Sequence, residues 1–210
     1  ILDQTIITCP IGISLESPTL KVEEIDRHIT LGGAANVVKN ILALGAQCTY
    51  VSPVGEDEYI DYYTTWEHKN LSFKKLLSPR HNTVKTRVWI ERGTETYKYL
   101  QINKTHEDED VTYKWPVKKI IKGADVVVLV DYGLGMFGEV ESIAKAASAY
   151  NIPVLASSQM SDKTNRYELF RSADYFCMNE EEADSYHGSF DGCITLGARG
   201  CRFRRMIARE

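Results

Sequence analysis

Val126-Val127-Val128-Leu129-Val130 is an unbroken apolar run, and all but Leu129 are β-branched. A strand of this kind has no polar face to turn to water. It predicts a parallel strand buried on both faces, with helices above and below it. The surrounding sequence extends the pattern as a strand-then-helix rhythm. A helix is predicted over 139–150, then strand 152–156, helix 163–171, strand 174–178, helix 180–187 and strand 193–196. Parallel neighbours need crossover connections, so alternating units imply an α/β fold with a mostly parallel sheet sandwiched by helices. No internal repeat or low-complexity linker breaks the chain. Its 210 residues read as a single domain (1–210), large enough to carry a small lid.

The first half is more varied. Residues 19–31 predict a strand leading into a loop, and Gly32-Gly33-Ala34-Ala35-Asn36 follows. Val37, Val38, Ile41, Leu42 and Leu44 recur at helical spacing, with Gly45 where a C-terminal cap belongs, so a glycine turn opens a helix. Gln47 to Pro53 reads as the next strand, Gly55-Glu56-Asp57 as a turn, and Tyr59, Ile60, Tyr63 and Trp66 mark a second helix. In 84–103, Val84, Thr86, Val88 and Ile90 alternate with Lys85, Arg87 and Trp89 up to a turn at Gly93. That is the signature of a β-hairpin with one apolar and one polar face. The acidic run His106 to Asp110 reads as a solvated loop.

Composition excludes several classes. A net charge of -4 and a pI near 5.8 give no basic surface to track nucleic acid. No apolar run approaches the about 20 residues needed to cross a bilayer. The five cysteines, at 9, 48, 177, 193 and 201, are odd in number and form no C-x-x-C pair. They read as reduced thiols of a cytoplasmic protein rather than a disulfide frame or a zinc site. The five histidines are scattered and carry no catalytic pattern. Both ends read as cut. The chain opens on Ile1-Leu2-Asp3 without a methionine or a full first strand, and it closes on the basic, non-periodic stretch 204–210.

Four motifs could carry chemistry, and each has a purely structural reading beside the functional one. Gly32-Gly33 with Asn36 lets a ligand approach the backbone at a helix start, or forms a tight turn. Asp131-Tyr132-Gly133-Leu134-Gly135 follows the apolar run, where ligands gather at strand ends in open α/β sheets, or it simply ends a strand. Asn179-Glu180-Glu181-Glu182 either caps the next helix or uses Asn179 and Glu182, three apart, to organise magnesium waters near a phosphate. Thr195-Leu196-Gly197-Ala198-Arg199-Gly200 is a loop that could fold beside a base or phosphate; alone, the T-x-G-x-x-G pattern says little.

Taken in order, the motifs resemble the ribokinase-like (PfkB) family of carbohydrate kinases. Leu31 to Asp57, Ile11 to Val22 and Lys85-Thr86-Arg87-Val88 look like the branch of heptose 7-phosphate kinases found in bifunctional lipopolysaccharide-precursor enzymes. The resemblance implies a three-layer α/β/α sandwich with a small β-hairpin lid over about 84–103. It implies phosphorylation of a sugar or sugar phosphate with ATP and Mg2+, and a homodimer formed through the lid. On the sugar side it assigns Asp3, Gly32, Gly33 and Asn36, with Lys85 and Arg87 for a substrate phosphate; Asp131 is a further substrate-side candidate. On the nucleotide side it assigns Asn179, Thr195, Gly197 and Gly200, and it gives Glu182 to the metal. The family's glycine-rich D-T-x-G-A-G-D segment is not found, so the resemblance puts the catalytic base and anion hole outside these residues. Ser157-Ser158-Gln159 stands where the heptose branch carries D-P-K, and Leu134 stands where a lysine is frequent. The connection Ser185 to Gly192 is shorter than the family's helix and strand there. These departures leave two alternatives: a degenerate relative that binds sugar phosphate or nucleotide without turnover, and an unrelated nucleotide-binding α/β protein.

Overall fold

The structure, a computed structural model, describes residues 1–105, 113, 115–133, 140–161 and 164–206. The acidic run His106 to Asp110, Leu134 and Gly135 lie outside the described residues. The chain divides into two compact units, Ile1–Glu107 and Asp108–Glu210.

In the first unit, β1 (Leu2–Ile13) and β2 (Leu20–Leu31) run antiparallel, and β1 also pairs in parallel with β5 (Val84–Arg92). The opening residues, expected to fall short of a full strand, therefore form a 12-residue one. β5 turns at Gly93 into β6 (Glu95–Lys104), giving the order β2-β1-β5-β6. The expected hairpin is present, but it is half of a four-stranded sheet. Val84 and Ile90 are buried on its apolar side, whereas every residue of β6 is exposed.

Helix α1 (Ala34–Ala43) forms as its spacing predicts, burying Ala35, Val38 and Leu42. Its end is a Schellman motif: the Ala46 N–H donates to Ile41 O at 3.3 Å and the Gly45 N–H to Leu42 O at 3.0 Å, with Gly45 at φ 85°. β3 (Cys48–Gly55) and β4 (Leu71–Ser78) pair in parallel. The second helix covers only α2 (Ile60–Thr64), at whose end the Thr64 and Thr65 hydroxyls also bond the Asp61 carbonyl. Leu2, Leu31, Ala35, Val54, Tyr63 and Val84 form one core cluster; Val38, Leu42 and Tyr50 form a second, where Tyr50 stacks on Phe73 at 4.8 Å.

The second unit holds a five-stranded sheet in the order β13-β12-β11-β8-β7. Its strands are β7 (Val127–Val130), β8 (Val154–Ser157), β11 (Tyr175–Asn179), β12 (Phe190–Thr195) and β13 (Cys201–Met206). The first four are parallel and β13 is antiparallel to β12. Helices α3 (Val117–Ile121) and α4 (Val140–Ser148) pack Ile121, Ile143, Ala146 and Ala147 against Val154, and α5 (Glu180–Ser185) joins β11 to β12. The α/β class and mostly parallel pairing are as expected.

Several local expectations are corrected. The apolar run is not buried on both faces: β7 ends this sheet, its residues are half-buried, and Val126 is exposed. The predicted helix 163–171 does not form over its described residues, 164–171. Short strands β9 (Met160–Ser161) and β10 (Thr164–Asn165) precede a 3-10 turn, Arg166–Phe170. Its three-residue period places Tyr167 and Phe170 together in the core. The short connection between β11 and β12 holds one helix, α5, and β12 runs parallel beside β11. The basic tail begins as an edge strand rather than an irregular coil. Among the described residues, no helix is long and apolar enough to cross a membrane.

Candidate functional site

The sugar-side candidates of the first unit converge at the start of β1. In the parallel β1–β5 register Asp3 lies opposite Lys85, so Asp3, Lys85 and Arg87 share one face of the sheet. Arg87 donates to Asp3 Oδ1 at 2.8 Å, and both side chains are about a quarter to a third exposed. The other carboxylate oxygen lies over Gly32, where an added Cβ would come within 1.8 Å of Oδ2. Gly32 is thus a close approach. Gly33 instead serves the turn: at φ 58° it is the N-cap of α1 and accepts from the Asn36 N–H at 3.0 Å. Asn36 itself sits exposed on the first turn of α1. A half-buried carboxylate beside two cations, packed on a glycine at a helix start, suits a polyhydroxylated ligand carrying an anionic group.

The second unit opens a cleft of about 250 Å³ at the carboxyl ends of β7, β8, β11 and β12. Asp131, Tyr132, Ser157, Ser158, Gln159, Asn179, Glu182 and Thr195 line it. This is where an open parallel sheet collects its ligands, because the turns leaving the strands diverge there. Asp131 is buried, and three donors meet its carboxylate: the Gly133 N–H at 2.6 Å on Oδ1, and Ser158 Oγ at 2.7 Å and Arg166 Nε at 2.9 Å on Oδ2. So Asp131, a substrate-side candidate from its strand-end position, lines the same cleft as the nucleotide-side candidates Asn179 and Thr195 and holds its own turn there.

Asn179 and Glu182 form a capping box at α5. The Glu182 N–H donates to Asn179 Oδ1 and the Asn179 N–H to Glu182 Oε2, each at 2.8 Å. Tyr167, fully buried, donates its hydroxyl within a set of acceptors: Cys177 O at 2.6 Å, Ser158 O at 2.9 Å and Glu182 Oε2 at 3.2 Å. Burial, then the nearby Glu182 carboxylate, pushes the Tyr167 phenol well above its usual range, so it remains a donor. Thr195 to Gly200 form the hairpin between β12 and β13. Leu196 N–H donates to Gly200 O at 2.8 Å, and both Gly197 (φ 59°) and Gly200 (φ 87°) are left-handed. Arg199 on that loop pairs with Glu180 at the start of α5.

Sequence reasoning did not name Arg166, Ser158 as a donor, or Tyr167. Arg166 lies 35 residues from Asp131, and the segment carrying it reads as a helix, so nothing local pointed to the pair. Among the described residues no group of three or more His, Cys, Asp or Glu could cage a metal ion. The donor set fits Mg2+ only as carried with a nucleotide, with waters and phosphates as its main ligands and Glu182 as the nearby carboxylate.

The family model for pfkB carbohydrate kinases matches residues 4–192. The D-beta-D-heptose 7-phosphate kinase of Bordetella bronchiseptica is 30% identical over 212 residues, covering 94% of this chain and 62% of that protein. The bifunctional protein HldE of Stutzerimonas stutzeri is 29% identical over 203 residues, covering 90% of this chain and 39% of that one. The chain therefore spans under two thirds of the length of these relatives. Among solved structures, Arabidopsis thaliana ribokinase complexed with ribose and ATP superposes with a TM-score of 0.61 at 16% identity, over 100% of this chain and 74% of that one. Phosphofructokinase-2 of Escherichia coli superposes at 0.64 and 13% identity, over 98% and 76%. At such identities these two speak to the fold alone, and they place it among the ribokinase-like folds. The family match over most of the chain, with the motif order and the strand-end cleft, shows that this chain belongs to the pfkB family of carbohydrate kinases.

Proposed function

We propose that the protein transfers the terminal phosphoryl group of ATP, with Mg2+, to a hydroxyl of a sugar phosphate resembling heptose 7-phosphate. The observation that carries this reading is the cluster of Asp3, Arg87, Lys85 and Gly32, which pairs a carboxylate for sugar hydroxyls with two cations for a phosphate already present. The relatedness to heptose 7-phosphate kinase at 30% identity supports the choice of sugar. On this reading the cleft of the second unit takes the nucleotide: Asn179 and Thr195 line it, Gly197 and Gly200 belong to the hairpin loop that follows Thr195, and Glu182 faces the ion. Mg2+ carried with the nucleotide would neutralise charge developing on the transferred phosphoryl group. The relatives are longer than this chain, and the general base and anion hole are assigned to sequence outside these 210 residues. The enzyme works in the cytoplasm as a homodimer joined through the β5–β6 hairpin.

The test is a thermal-shift titration of the full-length protein with MgATP and with heptose 7-phosphate, separately and together, followed by a turnover assay. A ligand that binds only the folded state stabilises it by about 2.7 kcal/mol at a hundredfold excess over Kd. Stabilisation by both ligands, with ADP release that depends on the sugar phosphate, is the expected result. A response to sugar phosphate alone would support a binder without turnover. Silence to both would overturn the assignment.

A further inference from the structure

The cleft of the second unit has an electrostatic problem. Among the described residues its lining holds two carboxylates, Asp131 and Glu182, and no lysine or arginine. A polyphosphate entering it would meet net negative charge in a partly dehydrated setting, where like charges repel strongly. The sequence deepens the problem, since Ser157-Ser158-Gln159 supplies no cation. Just behind the lining, however, Arg166 donates to Asp131 Oδ2 at 2.9 Å. Its side chain is 18% exposed and that of Asp131 4%, so the ion pair is shielded from bulk water. The guanidinium also faces the turn: an added Cβ at Gly133 would sit 3.6 Å from its central carbon. Arg166 thus grips both the carboxylate and the turn that carries it, while Ser158 completes the shell at 2.7 Å.

Taking the cleft as the nucleotide site, as above, we infer that Arg166 is a positioning residue that makes the cleft fit for an anionic ligand. It cancels the charge of Asp131 and locks the Asp131–Gly133 turn. It acts through Asp131 and does not itself line the cleft. The discriminating property is preference for charge. Neutralising Arg166 leaves Asp131 as an uncompensated anion facing the phosphates, which harms ATP and spares adenosine. A residue that merely supported the fold would harm both equally.

The experiment measures MgATP and adenosine affinity of the full-length protein by titration calorimetry for the wild type, Arg166→Lys, Arg166→Met and the double variant Asp131→Asn with Arg166→Met. Arg166→Met should lower ATP affinity at least about tenfold, equivalent to about 1.4 kcal/mol, and leave adenosine affinity within about twofold. Arg166→Lys should keep most of the preference. The double variant removes the unpaired charge and keeps an amide oxygen for the Gly133 N–H, while the Ser158 hydroxyl can turn to accept from the amide NH2, so it should regain ATP binding. Equal losses for the two ligands, or no loss for ATP, would overturn the inference. So would a folded double variant that fails to recover. If Arg166→Met does not fold, the double variant decides alone: a wild-type ATP-to-adenosine ratio supports the inference and a lost ratio overturns it. A wild type that binds neither ligand would instead remove the nucleotide reading of the cleft, and this inference with it.

Discussion

Asp57 shows how one side chain joins distant parts of the first unit. Burial pushes its carboxyl up, but hydrogen bonds from the Asn82 side chain and backbone and from the Tyr59 N–H outweigh that and hold it below the usual range. The bonds are short: Asn82 N–H to Oδ2 at 2.6 Å, Asn82 Nδ2 to Oδ1 at 2.7 Å, and Tyr59 N–H to Oδ1 at 3.0 Å. Asn82 also reads the Gly55 backbone in both directions, so the turn after β3 depends on a residue beyond β4. A carboxyl depressed in the folded state stabilises above its unfolded pKa, about 3.9, and this contribution disappears as pH falls through the lower folded value. Asp57→Asn should therefore melt below the wild type at pH 5, and the gap should close as pH drops below about 4. Melting curves between pH 5 and 3 check this; a gap that stays constant would mean that the ionised form matters little.

At the scale of elements, glycines of two kinds separate strand packing from turn geometry. Gly192 on β12 has its missing Cβ pointed at β11, 2.0 Å from the Phe176 carbonyl oxygen, so any side chain there pushes two parallel strands apart. Gly197 has open space around the same position, but its φ of 59° suits glycine. Gly197→Ala should cost about 1 kcal/mol of left-handed strain. Gly192→Ala should cost about 3 kcal/mol or more, because backbone cannot move aside as a flexible side chain can. Urea melts of the two variants compare them; a milder Gly192 variant would show that the strands can spread. The two glycines look alike in the sequence. Only strand register tells one from the other.

Across the whole molecule, the exposed edge of the first unit bears on assembly. β6 ends the sheet, and Tyr97, Leu100 and Ile102 lie on the same face as Val88 and Ile90 in the hairpin register while remaining exposed. An unpaired apolar edge strand is a surface that pairing with a second copy would cover. The full-length protein should sediment as a dimer at micromolar concentration, and Leu100→Lys with Ile102→Lys should shift it to monomer. A wild type that is already monomeric would remove the lid as an interface.

Period and punctuation settled much of this molecule before any tertiary contact was considered. The helical spacing of Val38 and Leu42 with Gly45 behind them, the two-residue alternation of 84–90, and the strand-ending positions of Asp131 and Asn179 are local signals, and the folded chain keeps them. The cap at Asn179 was likewise readable, since donor and acceptor lie three residues apart. Long-range contacts decided the rest. Whether the Val126–Val130 run is central or terminal depends on which strands find it, and the burial of Tyr167 and Phe170 turned a predicted helix into a 3-10 turn. The same holds for the charge of the cleft. Asp131 meets Ser158 and Arg166, 27 and 35 residues away, only because β7 and β8 lie side by side, and no period in the sequence encodes such a meeting.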